Sequence, residues 1–501
     1  MGGYDDELTR PLEGALEATT SEGPTSPAVG RDEWVARHGD NRRRRGGPLG
    51  KLEERLAAVP WWAWLTLLCV VAVLVPVVSD SGYVRRVAFD IAIYMLLALG
   101  LNVVVGWGGL LDLGYVAFYG IGAYAYALLS SEHYGIHLPT LVAIPLVVVI
   151  GAVVGFLVGL PSRRLTGDYL AIVTLFFLEI FLTLATNGDQ IFGHDFTGGA
   201  NGILNVDPLH LFGHDLVVQH EGAFALSYLY AAVAIFVVVY IALHFVNHSR
   251  TGRAWRSQRE DPLAAEAMGM PVNLIKLMAF AFGAGIAALT GTLFASLNAS
   301  VFPLTFSFPL LITVYTMVIL GGQGNMAGVT VGAVLVSVLL EILRDPGDAR
   351  ILFYVVGLLA ILFAFGKTRK LAFVLTAIVA FGFAARGIAG GINDAWISGP
   401  SSSGLDRVLS HWLIIPTHMA TWVPSVTYVG LIVLMLMLTL VHGWVRYALL
   451  VPTVYLGTFV WENVLLAQPD ATRYIVLGVM LIVLMIVRPN GLFGERRVEI
   501  I

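Results

Sequence analysis

Charged residues and cysteine are both scarce in this sequence. Only 13% of the 501 residues are charged, whereas a soluble domain carries about 25%. Residues 1–58 hold 20 of these charges, so the rest of the chain is poorer still. A water-soluble globule is therefore excluded, because too little polar surface exists to cover it. The single cysteine, Cys69, excludes an intrachain disulfide framework and a cysteine-based zinc site.

Long apolar runs follow one another through the remainder of the chain. A transmembrane helix needs about 20 mostly apolar residues. The runs are continuous rather than alternating, which favours helices over a barrel. The predicted fold class is all-α, a polytopic transmembrane helix bundle with broken, glycine-rich helices. The candidate spans are 61–79, 84–104, 109–130, 138–160, 168–187, 223–246, 272–297, 304–321, 326–343, 350–366, 371–388, 426–443, 447–466 and 472–488.

The placement of basic residues predicts how these spans cross the bilayer. An N-terminus in the cytoplasm puts most basic loops on the inner side and the loops 188–222 and 389–425 outside. This predicts a multi-pass protein of the cell membrane with both termini in the cytoplasm. The polar tail, 1–58, is predicted to be a disordered arm whose Arg42–Arg45 run lies near anionic lipid, not nucleic acid. The inner basic positions are Arg163, Arg164, Arg250 to Arg259, Lys367 to Lys370, Arg446, Arg496 and Arg497.

A polar segment at 249–271 contains a short alanine-rich stretch. Asp261 can cap a helix and Pro262 suits its first position, which predicts a helix of about two turns outside the membrane. Its alanines are small, so another protein surface could approach closely. A plain interfacial helix between two spans is an equal alternative. The positions assigned to contact with a partner are Asp261, Ala264, Ala265, Glu266 and Gly269.

Seven glycines fall within the 23 residues Gly100–Gly122. The run Gly106-Trp-Gly-Gly predicts a helix break between two spans, and polar groups flank it. Broken helices at membrane depth are tolerated where protein covers them or where they line a water-filled path. Simple close packing of helices is the alternative. The candidates for a translocation path or hinge are Asn102, Gly106, Gly108, Gly109, Asp112, Gly114 and Tyr115.

Two further features complete the set of candidate positions. Glu179 lies within a span, where an ionised carboxylate is costly, so it is either functional or held by a structural hydrogen bond. Gly322 and Gly324 belong to a second glycine-rich hinge. Their Gly-Gln-Gly-Asn-Met-Ala run matches a dinucleotide fingerprint in form only, since no strand precedes it. The sequence predicts no cofactor, no metal site and no enzymatic activity of its own.

Several ordered stretches of the sequence match one family pattern, over about 84–366 and the last twenty residues. They are Gly100–Gly109, Asp112–Tyr124, Asp168–Thr174, Thr197–Gly202, Thr251–Ala254, Arg259–Asp261, Ala264–Gly269 and Arg488–Gly494. Taken together, these stretches resemble the branched-chain amino-acid ABC-transporter permease family, on the side of its M-type permease subunit.

The resemblance implies a permease subunit of an ABC importer. Its partners would be ABC ATPase subunits, a second homologous permease, an extracytoplasmic solute-binding protein and the lipid bilayer. The helix at 261–269 would match the segment that couples to the ATPase, and ATP would bind to that separate chain. Related permeases carry urea or short amides, so these solutes stay open. Two competing hypotheses are a proton-driven secondary carrier, in which Glu179 is the relay, and a membrane scaffold.

The chain departs from the family pattern beyond residue 366. A compact member would end soon after the span at 350–366. Here an insertion separates that span from a final segment that is either the displaced last helix or a second copy of 350–366. The predicted organisation is a tail at 1–58, a permease core at 59–366, an insertion at 367–472, and a last helix with C-terminal tail at 473–501.

Overall fold

The computed structural model describes most of the chain from residue 61 onwards. The described residues are 61–78, 81–162, 168–190, 194–211, 214–216, 219–220, 223–224, 226–365, 368–399, 405–487 and 491–493. The tail 1–58 and the basic positions Arg163, Arg164, Lys367, Arg496 and Arg497 lie outside them. The chain divides into two units, Met1–Trp64 and Leu65–Ile501, and nearly all of the described residues lie in the second.

Seventeen α-helices make up most of the described structure, and the predicted all-α fold class is confirmed. They are α1 Trp61–Val78, α2 Gly82–Leu101, α3 Tyr115–Leu129, α4 Thr140–Ser162, α5 Asp168–Thr186, α6 Leu226–His248, α7 Arg250–Glu260, α8 Pro262–Ala267, α9 Val272–Asn298, α10 Phe308–Gly321, α11 Met326–Ile342, α12 Pro346–Phe365, α13 Thr368–Ile392, α14 Leu405–Ser410, α15 Val423–Leu440, α16 Trp444–Val460 and α17 Pro469–Val487. Two π-helical segments, Asn102–Trp107 and Trp461–Leu465, continue α2 and α16.

Short strands pair at the connections between helices. The described strands are β1 Ser130–Ser131, β2 Ile136–His137, β3 Ile203–Leu204, β4 His210–Leu211, β5 His214–Asp215, β6 Gln219–His220, β7 Ala223–Phe224 and β8 Ser300–Val301. They form the antiparallel pairs β1–β2, β3–β8, β4–β5 and β6–β7. The β3–β8 pair joins the loop after α5 to the loop after α9, so both loops lie at the same end of the bundle.

Among the described residues, ten helices are long and apolar enough to cross a membrane, or eleven if α11 and α12 form one bent span. This is fewer than the fourteen runs in the sequence. The run at 109–130 forms only the 15-residue α3, because residues 108–114 are not helical. The runs at 326–343 and 350–366 meet at an angle of 117°. At this bend, Asp345 accepts a hydrogen bond of 2.7 Å from the Gly347 amide at the start of α12.

The long helix α9 lies at the centre of the core and packs against α3 and α4. Glycines on both neighbours allow this close approach, because a side chain at Gly122 or Gly151 would clash with Ala288. Gly155 approaches Ala284 in the same way. Small residues that let helix backbones come together are the usual means of tight packing in a membrane. Within Gly100–Gly122, Gly122 thus packs closely against a neighbouring helix, as the close-packing alternative expects.

Helices α13, α15 and α16 lie within 367–472, the segment predicted to be an insertion, and form a second, smaller cluster. Many large apolar side chains of α13 and α15 are exposed, as expected of helices surrounded by lipid. Arg386 on α13 donates a hydrogen bond of 2.7 Å to the carbonyl of Leu413 and so ties the connecting loop to this cluster. The buried residues of the cluster are Leu413, Tyr455, Phe459 and Val460.

One buried ion pair connects the insertion to the core. Arg350 on α12 and Glu462 in the second π-helical segment lie 2.9 Å apart, and the Glu462 side chain is only 3% exposed. Tyr354 donates a further hydrogen bond of 3.2 Å to the same carboxylate. Beside this pair, Phe353 stacks on Trp461 with ring centroids 4.4 Å apart. The contact satisfies both charges and gives the insertion a fixed place against α12.

Candidate functional site

The short helix α8 is capped as its sequence predicts. Both Leu263 and Ala264 donate backbone hydrogen bonds, of 2.9 and 3.0 Å, to Oδ1 of Asp261. Pro262 occupies the first position, where a missing amide hydrogen costs nothing. Gly269 ends the turn with φ of 81°, a conformation that glycine adopts most readily. The predicted helix of about two turns is therefore confirmed.

One face of α8 projects away from the bundle. Leu263 and Met268 are 78% and 82% exposed, and Ala264 and Glu266 are exposed beside them. Ala265 differs, because it is buried at 2% exposure, and α8 packs against α9. Ala265 therefore faces the bundle instead of the exposed side of α8, and its assignment to contact with a partner stays a prediction. The remaining assigned positions on α8 are accessible.

Helix α7, which precedes α8, is absent from the sequence-based prediction, which treated 249–271 as polar loop apart from α8. Its N-terminus is capped by Ser249, whose Oγ accepts a hydrogen bond from the Gly252 amide. Trp255 is fully buried, and its indole donates a hydrogen bond of 2.8 Å to the carbonyl of Ile275. The missed signal was a serine cap followed by buried positions three residues apart at 252, 255 and 258.

The buried face of α7 packs on the first glycine-rich break, residues 106–114. The indole of Trp255 stacks on that of Trp107, with centroids 6.2 Å apart and planes 19° apart. The amide of Gln258 donates a hydrogen bond of 3.4 Å to the carbonyl of Gly108. Helix α2 ends in its π-helical segment at Trp107, and residues 108–114 are irregular. The predicted break is therefore confirmed, and α7 covers it.

Arg259, near the end of α7, contacts both glycine-rich breaks, the first at 106–114 and the second at 322–325. Its guanidinium donates a hydrogen bond to the carbonyl of Gly106. A side chain at Gly109 would place its Cβ 2.7 Å from Cγ of Arg259, and one at Gly324 would lie 2.8 Å from its Nη1. Both glycines also have positive φ, of 65° and 92°. Because Gly109 and Gly324 have no side chains, they leave the space that the Arg259 side chain occupies.

The two breaks also contact each other directly. Asn102 accepts a hydrogen bond of 2.8 Å from the amide of Gly324 through its Oδ1. Trp107 donates one of 3.0 Å to the carbonyl of the same glycine. A side chain at Gly106 would clash with Asn102 and lie 2.7 Å from the Gly324 nitrogen. Asn102 is buried here, so its carboxamide holds the junction of the breaks together.

Asp112 lies in the irregular segment and is fully buried. Its Oδ1 accepts a hydrogen bond of 2.9 Å from the Gly114 amide at the start of α3. Tyr315 on α10 uses its hydroxyl twice, donating to the carbonyl of Asp112 at 2.7 Å and accepting from its amide at 3.0 Å. Thr174 on α5 accepts a hydrogen bond of 2.8 Å from Leu113. Helices α5 and α10 thus fix the turn that follows the first break.

The remaining predicted positions lie in different surroundings. Tyr115 is buried at the start of α3, where its hydroxyl occupies the space beside Gly100. Gly322 ends α10 with φ of 105°. Glu179 is exposed on α5 and is not part of the junction of breaks. The structure thus brings α7, α8 and the two breaks together at one end of α9, whereas Glu179 faces outwards.

Comparison with known proteins places the chain in a family. A family model described as the permease component of branched-chain amino acid transport systems matches residues 83–365, more than half of the chain. The high-affinity branched-chain amino acid transport permease LivM of Salmonella typhimurium is 40% identical over 301 residues, covering 56% of this chain and 68% of LivM. LivM of Escherichia coli K12 is 40% identical over 299 residues with the same coverage.

A second subunit type is more distantly similar. The high-affinity permease LivH of Escherichia coli K12 is 25% identical over 254 residues, covering 49% of this chain and 80% of LivH. No solved structure matches the chain. A matched transport permease, a bundle of apolar helices and an exposed capped helix together define a membrane transport subunit. The chain belongs to the branched-chain amino acid transport permease family, which confirms the resemblance read from its sequence.

Proposed function

We propose that this chain is the permease subunit of an ABC importer that carries branched-chain or related small amino acids. Separate ATPase subunits would bind and hydrolyse the ATP. The observation that carries the proposal is the exposed helix α8, connected through Arg259 to both glycine-rich breaks. The solute class follows from the family and from the names of the LivM and LivH relatives.

Helix α8 is the element that would dock on an ATPase subunit. It presents two large apolar side chains, Leu263 and Met268, together with the carboxylate of Glu266. Apolar residues that are exposed at the end of a capped, rigid helix are suited to a groove in a partner. Closure of the ATPases would move α8 and α7 as one unit, because Asp261 links them without an intervening loop.

The movement would pass from α7 to the membrane through the junction of breaks. Trp255 and Arg259 contact the first break, and Arg259 also adjoins the second at Gly324. Breaks in helices absorb large backbone changes more readily than continuous helices do. The rearrangement would therefore concentrate at 106–114 and 322–325, opening a path to one side of the membrane and then to the other. A zwitterionic amino acid needs only a few dipoles along that path.

The exposed face of α5 supports the second permease as a partner. Glu179 lies on this face among the exposed side chains of Ile172, Phe176 and Ile180. A carboxylate facing hydrocarbon is costly unless it is paired, protonated or hydrated. A homologous permease that covers α5 would supply polar partners or water, and the translocation path would then run between the two subunits. The loops at the far end of α9 would receive the extracytoplasmic solute-binding protein.

A purification from the native membrane tests the docking of α8. The double variant Glu266→Lys/Gly269→Trp alters its exposed face. Its matched control is Glu132→Lys/Gly135→Trp at the opposite end, where Glu132 is also exposed and Gly135 also has positive φ and open space around it. The α8 variant should retain about tenfold less ATPase subunit and take up correspondingly less leucine, because docking energy is concentrated in few residues. The control should retain the ATPase at the wild-type level.

The same preparation distinguishes the competing hypotheses. Wild-type chain should copurify with a second permease, and Glu179→Lys should reduce that association while leaving the ATPase bound through α8. Equal ATPase recovery in the α8 variant and its control would contradict the proposal. A secondary carrier would instead be established if this chain alone took up leucine, if a protonophore abolished that uptake and if ATP depletion did not affect it.

A further inference from the structure

Residues 491–493, near the end of the sequence, contact the second glycine-rich break. The amide of Leu492 donates a hydrogen bond of 2.8 Å to the carbonyl of Leu320, and that of Phe493 donates one of 3.1 Å to the carbonyl of Gly321. Both bonds join main chain to main chain, so residues 491–493 run alongside the last turn of α10. They satisfy carbonyl groups that the end of a helix otherwise leaves without partners.

Asn325 closes this contact from the other side of the break. Its Nδ2 donates a hydrogen bond of 3.0 Å to the carbonyl of Phe493. Its Oδ1 accepts one of 3.0 Å from the amide of Gly328, which caps the start of α11. One side chain therefore ties the chain end, the break and the following helix together.

Glycine is required where the chain end meets the break. Gly491 is buried with φ of 72°, and a Cβ at this position would lie 2.6 Å from the Cα of Gly322 and clash with the carbonyl of Ile319. Gly328 leaves similar room, since its Cβ would lie 2.8 Å from that of Phe493. The fit between the two segments is therefore one of backbone against backbone.

Helix α17 brings residues 491–493 to this place. It packs against α10, the helix that ends at the break. The insertion between α12 and α17 has thus left the final motif of the sequence beside the core hinge. This arrangement favours the displaced last helix over a second copy of 350–366, two possibilities between which the sequence alone does not decide.

We propose that residues 491–493 form a C-terminal clasp that fixes the second break, so that movement of Arg259 displaces α10 and α11 instead of only the turn between them. Gly491 and Asn325 are its positioning residues. The inference rests on the proposed transport function. Asn102 and Trp107 hold Gly324 from the first break, and the clasp holds 320–325 from the other side. A turn that is hydrogen-bonded on both sides passes a displacement on to the helices that it joins, whereas a turn that is bonded on one side deforms instead.

The ratio of leucine transported to ATP hydrolysed tests the clasp in the reconstituted complex. Gly491→Ala introduces the clash with α10, and Asn325→Asp removes the donor to Phe493 while keeping a residue that caps helices well. The matched control is Gly478→Ala on α17, where a Cβ meets nothing within 4 Å. Both clasp variants should lower the transport ratio by about fivefold, comparable to the loss of one hydrogen bond. Their ATP hydrolysis and their binding of the ATPase should persist, and Gly478→Ala should match wild type.

The outcomes separate the clasp from the transport function itself. If both clasp variants keep the wild-type transport ratio while the α8 variant loses the ATPase as proposed, the clasp alone is overturned. A wild-type complex without ATP-driven uptake would overturn the proposed function. If the clasp variants lost transport and ATP hydrolysis equally and also had a lower melting temperature, residues 491–493 would have only a structural role. That result would also overturn the clasp.

Discussion

At the scale of single residues, Arg259 organises the site. It donates to the carbonyl of Gly106, and two glycines of positive φ make room for its side chain. The arginine side chain carries a planar guanidinium group with a fixed set of hydrogen-bond donors, whereas the lysine side chain carries only a mobile point charge. The sequence contains this arginine within its family pattern, but its contacts with residues 106, 109 and 324 follow only from the folded chain.

Arg259→Lys should therefore separate docking from transport. The exposed surface of α8 is unchanged in this variant, so the ATPase subunit should copurify normally, while leucine uptake should fall by about tenfold because the rigid link is lost. Arg253→Lys is the control, since Arg253 lies on the same helix, is exposed and donates to the carbonyl of His248. Identical uptake in the two variants would show that Arg259 does not transmit the movement.

Asp112 and Asn102 show how far the sequence determines the role of a buried polar residue. The sequence assigns both to a path or hinge, because lipid cannot solvate them. In the structure, Asn102 holds Gly324 and Asp112 holds the start of α3, and these contacts support the hinge in our proposal. The side chains and backbone that they bind include residues more than 200 positions away, such as Tyr315, which no local pattern could identify.

At the scale of helices, the ion pair between Arg350 and Glu462 fixes the insertion against the core. Glu462→Gln would leave the guanidinium of Arg350 without its buried counter-charge and destabilise the protein by about 3 kcal/mol. The control is Asp470→Asn, because Asp470 is 92% exposed and pairs with Arg473 at 3.5 Å. Exposed pairs contribute about 0–1 kcal/mol.

Thermal unfolding of the detergent-solubilised chain measures both changes. The midpoint should fall clearly for Glu462→Gln and barely for Asp470→Asn. Limited proteolysis should also cut the loop between α14 and α15 faster in the Glu462 variant, because the insertion is less firmly attached. A midpoint that responds equally to both substitutions would contradict this account of the insertion.

At the scale of the whole molecule, the surfaces that we propose for docking lie at the two ends of α9. Met268 in the segment before α9 and Leu304 after it lie at opposite ends of that helix, and they are 82% and 81% exposed. The basic loops predict that the first end is cytoplasmic.

Labelling of single cysteines tests this orientation. In a Cys69→Ser background, in vesicles that contain this chain without the other subunits, a membrane-impermeant maleimide should modify the Met268→Cys variant only in inside-out vesicles. It should modify the Leu304→Cys variant only in right-side-out vesicles. The two positions are equally exposed, so a difference in reaction reports sidedness rather than burial. The reverse pattern would place α8 outside and exclude its docking on an ATPase.

The sequence by itself determined the fold class, the capped helix α8 and the positions of the two helix breaks. These features depend on hydropathy over about 20 residues and on the local preferences of glycine, proline and aspartate, all of which are properties of neighbouring residues. Only the tertiary structure decided that Ala265 is buried, that α7 links α8 to the breaks, and that residues 491–493 close on α10. Those contacts join segments far apart in the chain, and a pattern within one segment carries no information on which distant backbone will lie beside it.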